Sequence, residues 1–364
     1  MAERDAGKFG NHGRKMAAPR RVPPAALAAG LLLVALVAVG RVTAGSLPPA
    51  ATREPAPPTV RSTTRTLAAS PVVAEIAMAG IPLQLAFGAG SLWVSNTNGT
   101  VSRVDPATNR VVAIIQLPRS GRQARAIAVG AGAVWVAATA GMVWRIDPVG
   151  NRVVGKVDTG SSLYEPIGVA AQDDAVWLVC CANAAPGRYR DSKLLRIDPA
   201  RNRVVARIAV IGDPLAVVAD ERAVWIATMQ GRAEQIDRAT NRVVAVIPAG
   251  GPIGGAQAMA IGHGGVWLAD PGNSTVLRID PVAARTVARI PVAAATRVAV
   301  DDAGVWVVQG YEGALALIHP GADRPAVAIS TRHLRDVRGL AVGAGSVWAA
   351  SGTTIARIDP ARVR

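Results

Sequence analysis

Residues 126–154 read AIAVGAGAVWVAATAGMVWRIDPVGNRVV. Four short apolar runs are separated by turn residues, which is the pattern of a four-stranded antiparallel sheet and not of a helix. Strand A is Ala126-Ile127-Ala128-Val129, and Gly130-Ala131-Gly132 supplies the positive-φ positions that a tight hairpin requires. Strand B carries Trp135. Strand C ends at Asp147-Pro148, where the carboxylate can accept a nearby backbone N–H and the proline presets φ for the turn, and strand D begins at Asn151-Arg152.

The chain repeats this unit. A tryptophan flanked by small or β-branched residues recurs at Trp93, Trp135, Trp177, Trp225, Trp267, Trp306 and Trp348, at intervals of 42, 42, 48, 42, 39 and 42 residues. An Asp-Pro or its relic follows each: Asp105-Pro106, Asp147-Pro148, Asp198-Pro199, Asp237-Arg238, Asp280-Pro281, His319-Pro320 and Asp359-Pro360. Four strands per unit, seven times over, predict an all-β, seven-bladed β-propeller of four-stranded antiparallel blades over residues 71–364. The last unit stops at Arg364, too early for its strand D, and would leave an open edge. Residues 71–79 (PVVAEIAMA) resemble a strand D with nothing before it, so the N-terminal strand is expected to complete the last blade. In such a ring each sheet is covered on both faces, and an indole on strand B fills the gap between blades. Truncating one to alanine is expected to cost about 3–5 kcal/mol.

The pattern GAGxVWVA followed by GxVxRIDPxTNRVVAxI resembles the YVTN-type repeats of bacterial propellers related to YncE. More distantly, it is similar to streptogramin (virginiamycin B) lyase, NHL and WD-repeat propellers. The resemblance implies the fold across residues 71–364. It implies little about activity, because propellers host binders, scaffolds and enzymes alike.

Composition assigns the rest of the chain. Of 364 residues half are apolar, and the formal charge is +15. Residues 1–70 hold 10 of the 40 basic and 3 of the 25 acidic residues, so the remainder carries 30 against 22, or +8. Residues 1–24 form a basic leader ahead of an uncharged run from Ala25 to Gly40, which reads as a signal h-region or a signal-anchor helix. Val42-Thr43-Ala44 fits a cleavage site, whereas the long basic leader fits a retained anchor. Both readings stay open. Residues 41–70, rich in Pro, Thr and Ala, read as a flexible linker. Either way the propeller is expected outside the cytoplasm, secreted or anchored to the membrane, which removes nucleic acid as a partner.

The two rims of the disc differ in information. The A–B and C–D turns repeat, and what every blade needs in order to turn says nothing about a ligand. Acidic pairs there, Asp173/Asp174, Asp220/Glu221 and Asp301/Asp302, are expected to face solvent. The B–C loops and D–A connections vary, above all Cys180 to Ser192. They hold all three tyrosines, Tyr164, Tyr189 and Tyr311, together with Arg119, Arg122, Arg125, Arg188, Arg190, Arg332, Arg335 and Arg338. An aromatic and arginine surface is the composition of interaction sites. The candidate ligand-binding residues are therefore Tyr164, Glu165, Arg188, Tyr189, Arg190, Tyr311, His333 and Arg335. Cys180 and Cys181 either form a vicinal disulfide or remain two thiols.

Neither two cysteines nor the scattered histidines make a metal-site pattern, and no GxSxG, HExxH, phosphate-loop or dinucleotide fingerprint occurs, so no cofactor is expected. The expected function is that of a monomeric, exported, non-enzymatic propeller that binds a protein, peptide or cell-envelope ligand through its variable rim. The alternative is a lyase or hydrolase using His333 with Asp336 or Glu165.

Overall fold

The computed structural model describes residues 64–66, 70–118, 123–160, 164–182, 193–249, 258–310, 313–322, 325, 327–330 and 334–363. At 64–66, 164–165, 181–182, 327–328 and 330 it places the backbone alone. The leader, the apolar run and the linker up to residue 63 lie outside the described residues. Everything described falls in one unit, Pro58–Arg364.

Among the described residues the chain forms seven antiparallel sheets, six of four strands and one of five. Blade 1 shows the plan, with Pro82–Gly88, Ser91–Asn96, Thr100–Asp105 and Arg110–Gln116 as strands A to D. Strand B is buried along its whole length in blades 1, 2, 4, 5 and 7, because neighbouring blades cover both its faces. All seven repeat tryptophans are fully buried, and the eighth, Trp144 on strand C of blade 2, nearly so.

The ring closes as expected. In the last blade Val337–Gly343, Ser346–Ser351 and Thr354–Ile358 are completed by Val72–Ala77, which pairs antiparallel with Thr354–Ile358. Asp359 N–H donates to Pro71 O at 2.9 Å. One strand was not foreseen: Thr64–Thr66, inside the expected linker, pairs with Val72–Ala77 and makes this the five-stranded sheet. A strand D leaves its outer edge unpaired, and β-branched threonines immediately upstream suit that edge.

The first glycine of each Gly-Ala-Gly needs a different reason from the one its turn suggests. Positive φ falls on the second and third residues, Ala131 (51°) and Gly132 (67°) in blade 2. Gly130 instead ends strand A, and a Cβ there would sit 2.5 Å from Ala171 O of the next blade. At Gly343 a Cβ would lie 2.1 Å from the Phe87 ring of blade 1. The glycine is required by the convergence of blades at the axis. Its carbonyl then accepts the indole N–H of strand B, as in Trp135 Nε1 to Gly130 O at 3.1 Å and Trp348 Nε1 to Gly343 O at 3.0 Å.

Strand D carries a second regularity. The repeated Asn-Arg-Val-Val suggests an ordinary apolar strand, yet the second of these valines is an extra, bulged residue opposite strand C. This holds at Val112, Val154, Val205 and Val244, and at Val287 in blade 5. These five side chains are exposed. A bulge twists the outermost strand and interrupts its free edge, which discourages pairing with another chain.

Candidate functional site

The uniform rim is occupied by structural work. In the Arg-Ile-Asp-Pro of strand C, Arg-Val-Asp-Pro in blade 1, the arginine lies over the tryptophan of its own blade, with Arg103, Arg145, Arg196, Arg278 and Arg357 at 4.9–5.5 Å from the ring centroid. Four of these reach the C–D turn of the next blade. Arg103 Nη1 donates to Pro148 O (2.8 Å) and Asn151 Oδ1 (3.1 Å), and Arg145 Nη1 donates to Pro199 O (2.9 Å) and Asn202 Oδ1 (3.4 Å). Arg196 uses Arg238 O and Asn241 Oδ1, and Arg357 uses Pro106 O (2.7 Å) and Asn109 Oδ1 (2.8 Å), joining blade 7 to blade 1. The receiving asparagines sit at φ 49–56°, a region that asparagine tolerates better than most residues. Thus the Asn of the repeat is the receptor of an inter-blade latch as well as a turn residue.

The carboxylates of this rim serve the turns. Asp105 Oδ1 accepts Ala107 N–H at 2.8 Å, and Asp237 Oδ1 accepts Thr240 N–H at 2.7 Å. These bonds hold both carboxyls below the usual range, and Asp280 is held down the same way by the Ala283 and Val282 N–H groups. Asp198 is lowered first by its hydrogen bond from Arg201. Of the acidic pairs, Asp220 and Asp301 close their own turns by accepting two backbone N–H groups each. Asp174 pairs with Arg196 and Arg238. None of these contacts forms an acid–base couple.

The variable rim is built differently. Strand A has one edge paired to strand B and the other turned to the axis, so seven such edges line a central channel of about 380 Å³. Near the variable rim, strand A carries an extra residue in six blades: Leu83, Arg125, Ile167, Leu215, Thr296 and Arg338. A bulge re-aims the side chain it carries, and bulges concentrate beside binding sites. Here four of the six bulged residues, Leu83, Arg125, Ile167 and Arg338, line a cavity of about 250 Å³ at the mouth together with Gln84 and Arg297. Arg297 Nε donates to Arg338 O at 2.7 Å, and Arg338 donates from Nε (2.9 Å) and Nη2 (2.6 Å) to Asp336 Oδ2. Asp336 itself holds φ 51°.

On the same rim, blade 4 ties down its D–A connection through the buried Glu234 and Asp213 and the exposed Gln230. Both oxygens of Glu234 accept the Ile211 N–H (2.9 and 3.1 Å), while Asp213 N–H donates to Gln230 Oε1 and Gln230 Nε2 returns a bond to Asp213 Oδ2. Burial pushes the Glu234 carboxyl up, against the lowering effect of the Ile211 N–H.

The residues expected from sequence are placed as follows. Tyr164 and Glu165 open strand A of blade 3 at the variable rim, opposite Ala182 and Cys181 in register. Arg188, Tyr189, Arg190, Tyr311 and His333 lie outside the described residues. Arg335 is an exposed turn residue whose carbonyl accepts the Ser351 hydroxyl. Cys180 is fully buried in the apolar cluster around Trp135, and Cys181 continues the same strand. The mouth instead gathers Arg125, Arg297 and Arg338. The first and third were visible as rim arginines. Arg297 was missed because it belongs to a strand A, although a charge inside an otherwise apolar inner strand was the available signal. Among the described residues no group of three or more His, Cys, Asp or Glu is placed to hold a metal ion.

No family model matches the chain, and no curated protein matches it. Among solved structures 1662 chains are similar. One of them is a Kuenenia stuttgartiensis hydrazine synthase chain, with a TM-score of 0.64 and 15% identity over 84% of this chain and 99% of that one. At that identity, and with so many chains alike, the likeness shows the propeller fold and nothing narrower.

Proposed function

We propose that this is an exported, non-enzymatic propeller of the YVTN-like kind that binds an envelope-located ligand through its variable rim, at the mouth of the axial channel. One observation carries the reading: the same strand position is bulged in six blades, and at the mouth two of those bulges present arginines, Arg125 and Arg338, beside the bulged Leu83 and Ile167. The uniform rim supports it by contrast, since its repeated side chains are engaged in latches and turns. Loops on a rigid scaffold are where binding residues concentrate.

The test compares full-length protein, an Arg125→Ala/Arg338→Ala variant and a uniform-rim control, Arg201→Ala, for material retained from a cell-envelope extract. Retention lost in the double variant and kept in the control is expected. Equal retention by all three refutes the site. Intact mass of the protein recovered from outside the cells then reports whether the leader is removed.

A further inference from the structure

We propose that Asn98 is a site of spontaneous covalent modification, where the side-chain carboxamide closes on the Gly99 nitrogen to a succinimide that opens to aspartate or isoaspartate. The inference is independent of the binding reading above. Asn98-Gly99 is the only Asn-Gly pair in the chain. It lies in the B–C turn of blade 1, between Ser91–Asn96 and Thr100–Asp105, on the variable rim, and Asn98 is exposed to water there.

The turn holds the reacting groups together. Asn98 Oδ1 accepts the Thr100 N–H at 3.2 Å and the Thr100 hydroxyl at 2.7 Å. The first bond folds the carboxamide over its own backbone toward the residue two positions on, and the Gly99 nitrogen lies within the loop so closed. Nucleophile and electrophile are thereby held as near neighbours, which removes much of the entropy an open chain must lose to react. As the nitrogen adds to Cγ, negative charge gathers on Oδ1, where both Thr100 donors already point. Gly99, at φ 79°, brings no side chain against the approach. Among the described residues no hydrogen bond holds Asn98 Nδ2, the departing group.

The atoms balance with water alone. Hydroxide takes the Gly99 N–H proton, breaking its 3.2 Å bond to Asn96 O. The nitrogen bonds to Cγ, the Cγ–Nδ2 bond breaks, and Nδ2 leaves as ammonia with a proton from water. Water then opens the ring. Cleavage between Cγ and the nitrogen gives aspartate, and cleavage at the Asn98 backbone carbonyl gives isoaspartate, with the main chain routed through the side chain. Either product replaces a neutral amide by a carboxylate. Isoaspartate also lengthens a turn whose Asn98 side chain packs on Gly80, where a Cβ would meet Nδ2 at 2.8 Å. The variable rim of blade 1 thus gains negative charge with the age of the molecule.

The other described asparagines are held differently. Asn109, Asn151, Asn202 and Asn241 each precede an arginine and turn Oδ1 to a guanidinium. Asn96 is buried. Asn273 is exposed and precedes Ser274, but its Nδ2 donates to Asp270 Oδ2 at 2.8 Å, which retains the leaving group.

The experiment incubates the full-length protein at body temperature, native and in denaturant, at neutral and alkaline pH, and follows it by intact mass, peptide mapping and enzymatic isoaspartate labelling. Expected is the mass gain of exchanging an amide NH2 for a hydroxyl, located at Asn98 and faster at alkaline pH. It should be at least as fast in the native protein as in the denatured chain. Gly99→Ala should slow it about tenfold or more in both states, and Thr100→Val about tenfold in the native state alone. A native Asn98 that stays intact while the denatured chain converts overturns the proposal, as does conversion no faster at Asn98 than at Asn273. So does a native rate that Thr100→Val leaves unchanged. If either variant unfolds, the comparison of native with denatured unsubstituted protein decides, since it needs no substitution.

Discussion

The joint between blades 7 and 1 and the joints on either side of blade 6 solve one problem in two ways. At the first, Arg357 stacks on Trp348 and crosses to Pro106 O and Asn109, Trp348 bonds Gly343, and Val72–Ala77 is added to the sheet. Around blade 6 Leu317 stands where the latching arginine would be, and Arg278 of blade 5 turns back to its own His263 O at 3.4 Å. A histidine contact replaces the latch, His263 Nε2 donating to Asp301 O at 2.8 Å. Trp306 Nε1 has no hydrogen-bond partner among the described residues. The same latch joins blades 1 to 2, 2 to 3 and 3 to 4, so the polar fastening is thinned only around blade 6, where leucine replaces its arginine. What the joint between the chain ends has in addition is a strand: closing a ring costs chain entropy, and Val72–Ala77 offsets it with a backbone ladder to Thr354–Ile358.

Removing the residues before Gly80 strikes the fastened joint hardest. Val72, Ala74 and Ile76 are fully buried, so the shortened chain should lose roughly 5 kcal/mol or more and associate through the bare edge of Thr354–Ile358. Denaturant titration and light scattering measure both, and unchanged stability with monomeric behaviour would break the comparison outright.

Tryptophan truncation sharpens it next. Trp348→Ala and Trp306→Ala should each cost about 3–5 kcal/mol through cavity formation, with Trp348→Ala the worse by about 1–3 kcal/mol. The reason is that Trp348 also loses a hydrogen bond and a stacked arginine, whereas truncating Trp306 removes an unsatisfied donor. Equal costs would show that the indole bond contributes nothing.

A smaller contrast is expected at the arginines. Arg357→Met should destabilise by about 1–3 kcal/mol and Arg278→Met by less than about 1 kcal/mol, since only the former abandons an inter-blade carbonyl and an asparagine. Reversal of that order in chemical denaturation would mean that the latches are geometric and not energetic.

The smallest effect lies away from both joints and depends on pH. Glu234 has its folded pKa raised above 4.5, so the folded state holds the extra proton, and stability is lost as pH rises from about 4.5 through the folded value. Glu234→Gln keeps an acceptor for Ile211 N–H and removes the buried charge. It should melt about 2–4 °C higher at neutral pH and coincide with the native protein near pH 4. The Asp105, Asp198, Asp237 and Asp280 carboxyls have the opposite sign, being lowered from 3.8. Their contribution disappears as pH falls through their folded values and should be identical in both proteins.

Much of the architecture was legible because it is local and repeated. Trp93 to Trp348 marked the strand B positions, the Asp-Pro pairs marked the C–D turns, and PVVAEIAMA announced a strand in search of a sheet. The Asp105 and Asp237 turns behave as their residue types suggested. Reading failed where a residue's reason lies in another blade. Gly130 looked like a turn glycine and is a packing glycine, Asn151 looked like the start of strand D and also receives Arg103, and nothing in the repeat announced that Val154 is a solvent-facing bulge. The site was less legible still, because composition picked out tyrosines and loop arginines, whereas the described cluster draws on strand A.

By itself the sequence determined the number of blades, the order of strands within each and the segment that seals the ring, since hydrophobic alternation and turn chemistry act over a few neighbouring residues. Only the tertiary structure decided which arginines clasp which asparagines, and that Arg125, Arg297 and Arg338 share one opening. Those contacts exist only once seven sheets have converged on a common axis, and no local preference encodes where distant blades will meet.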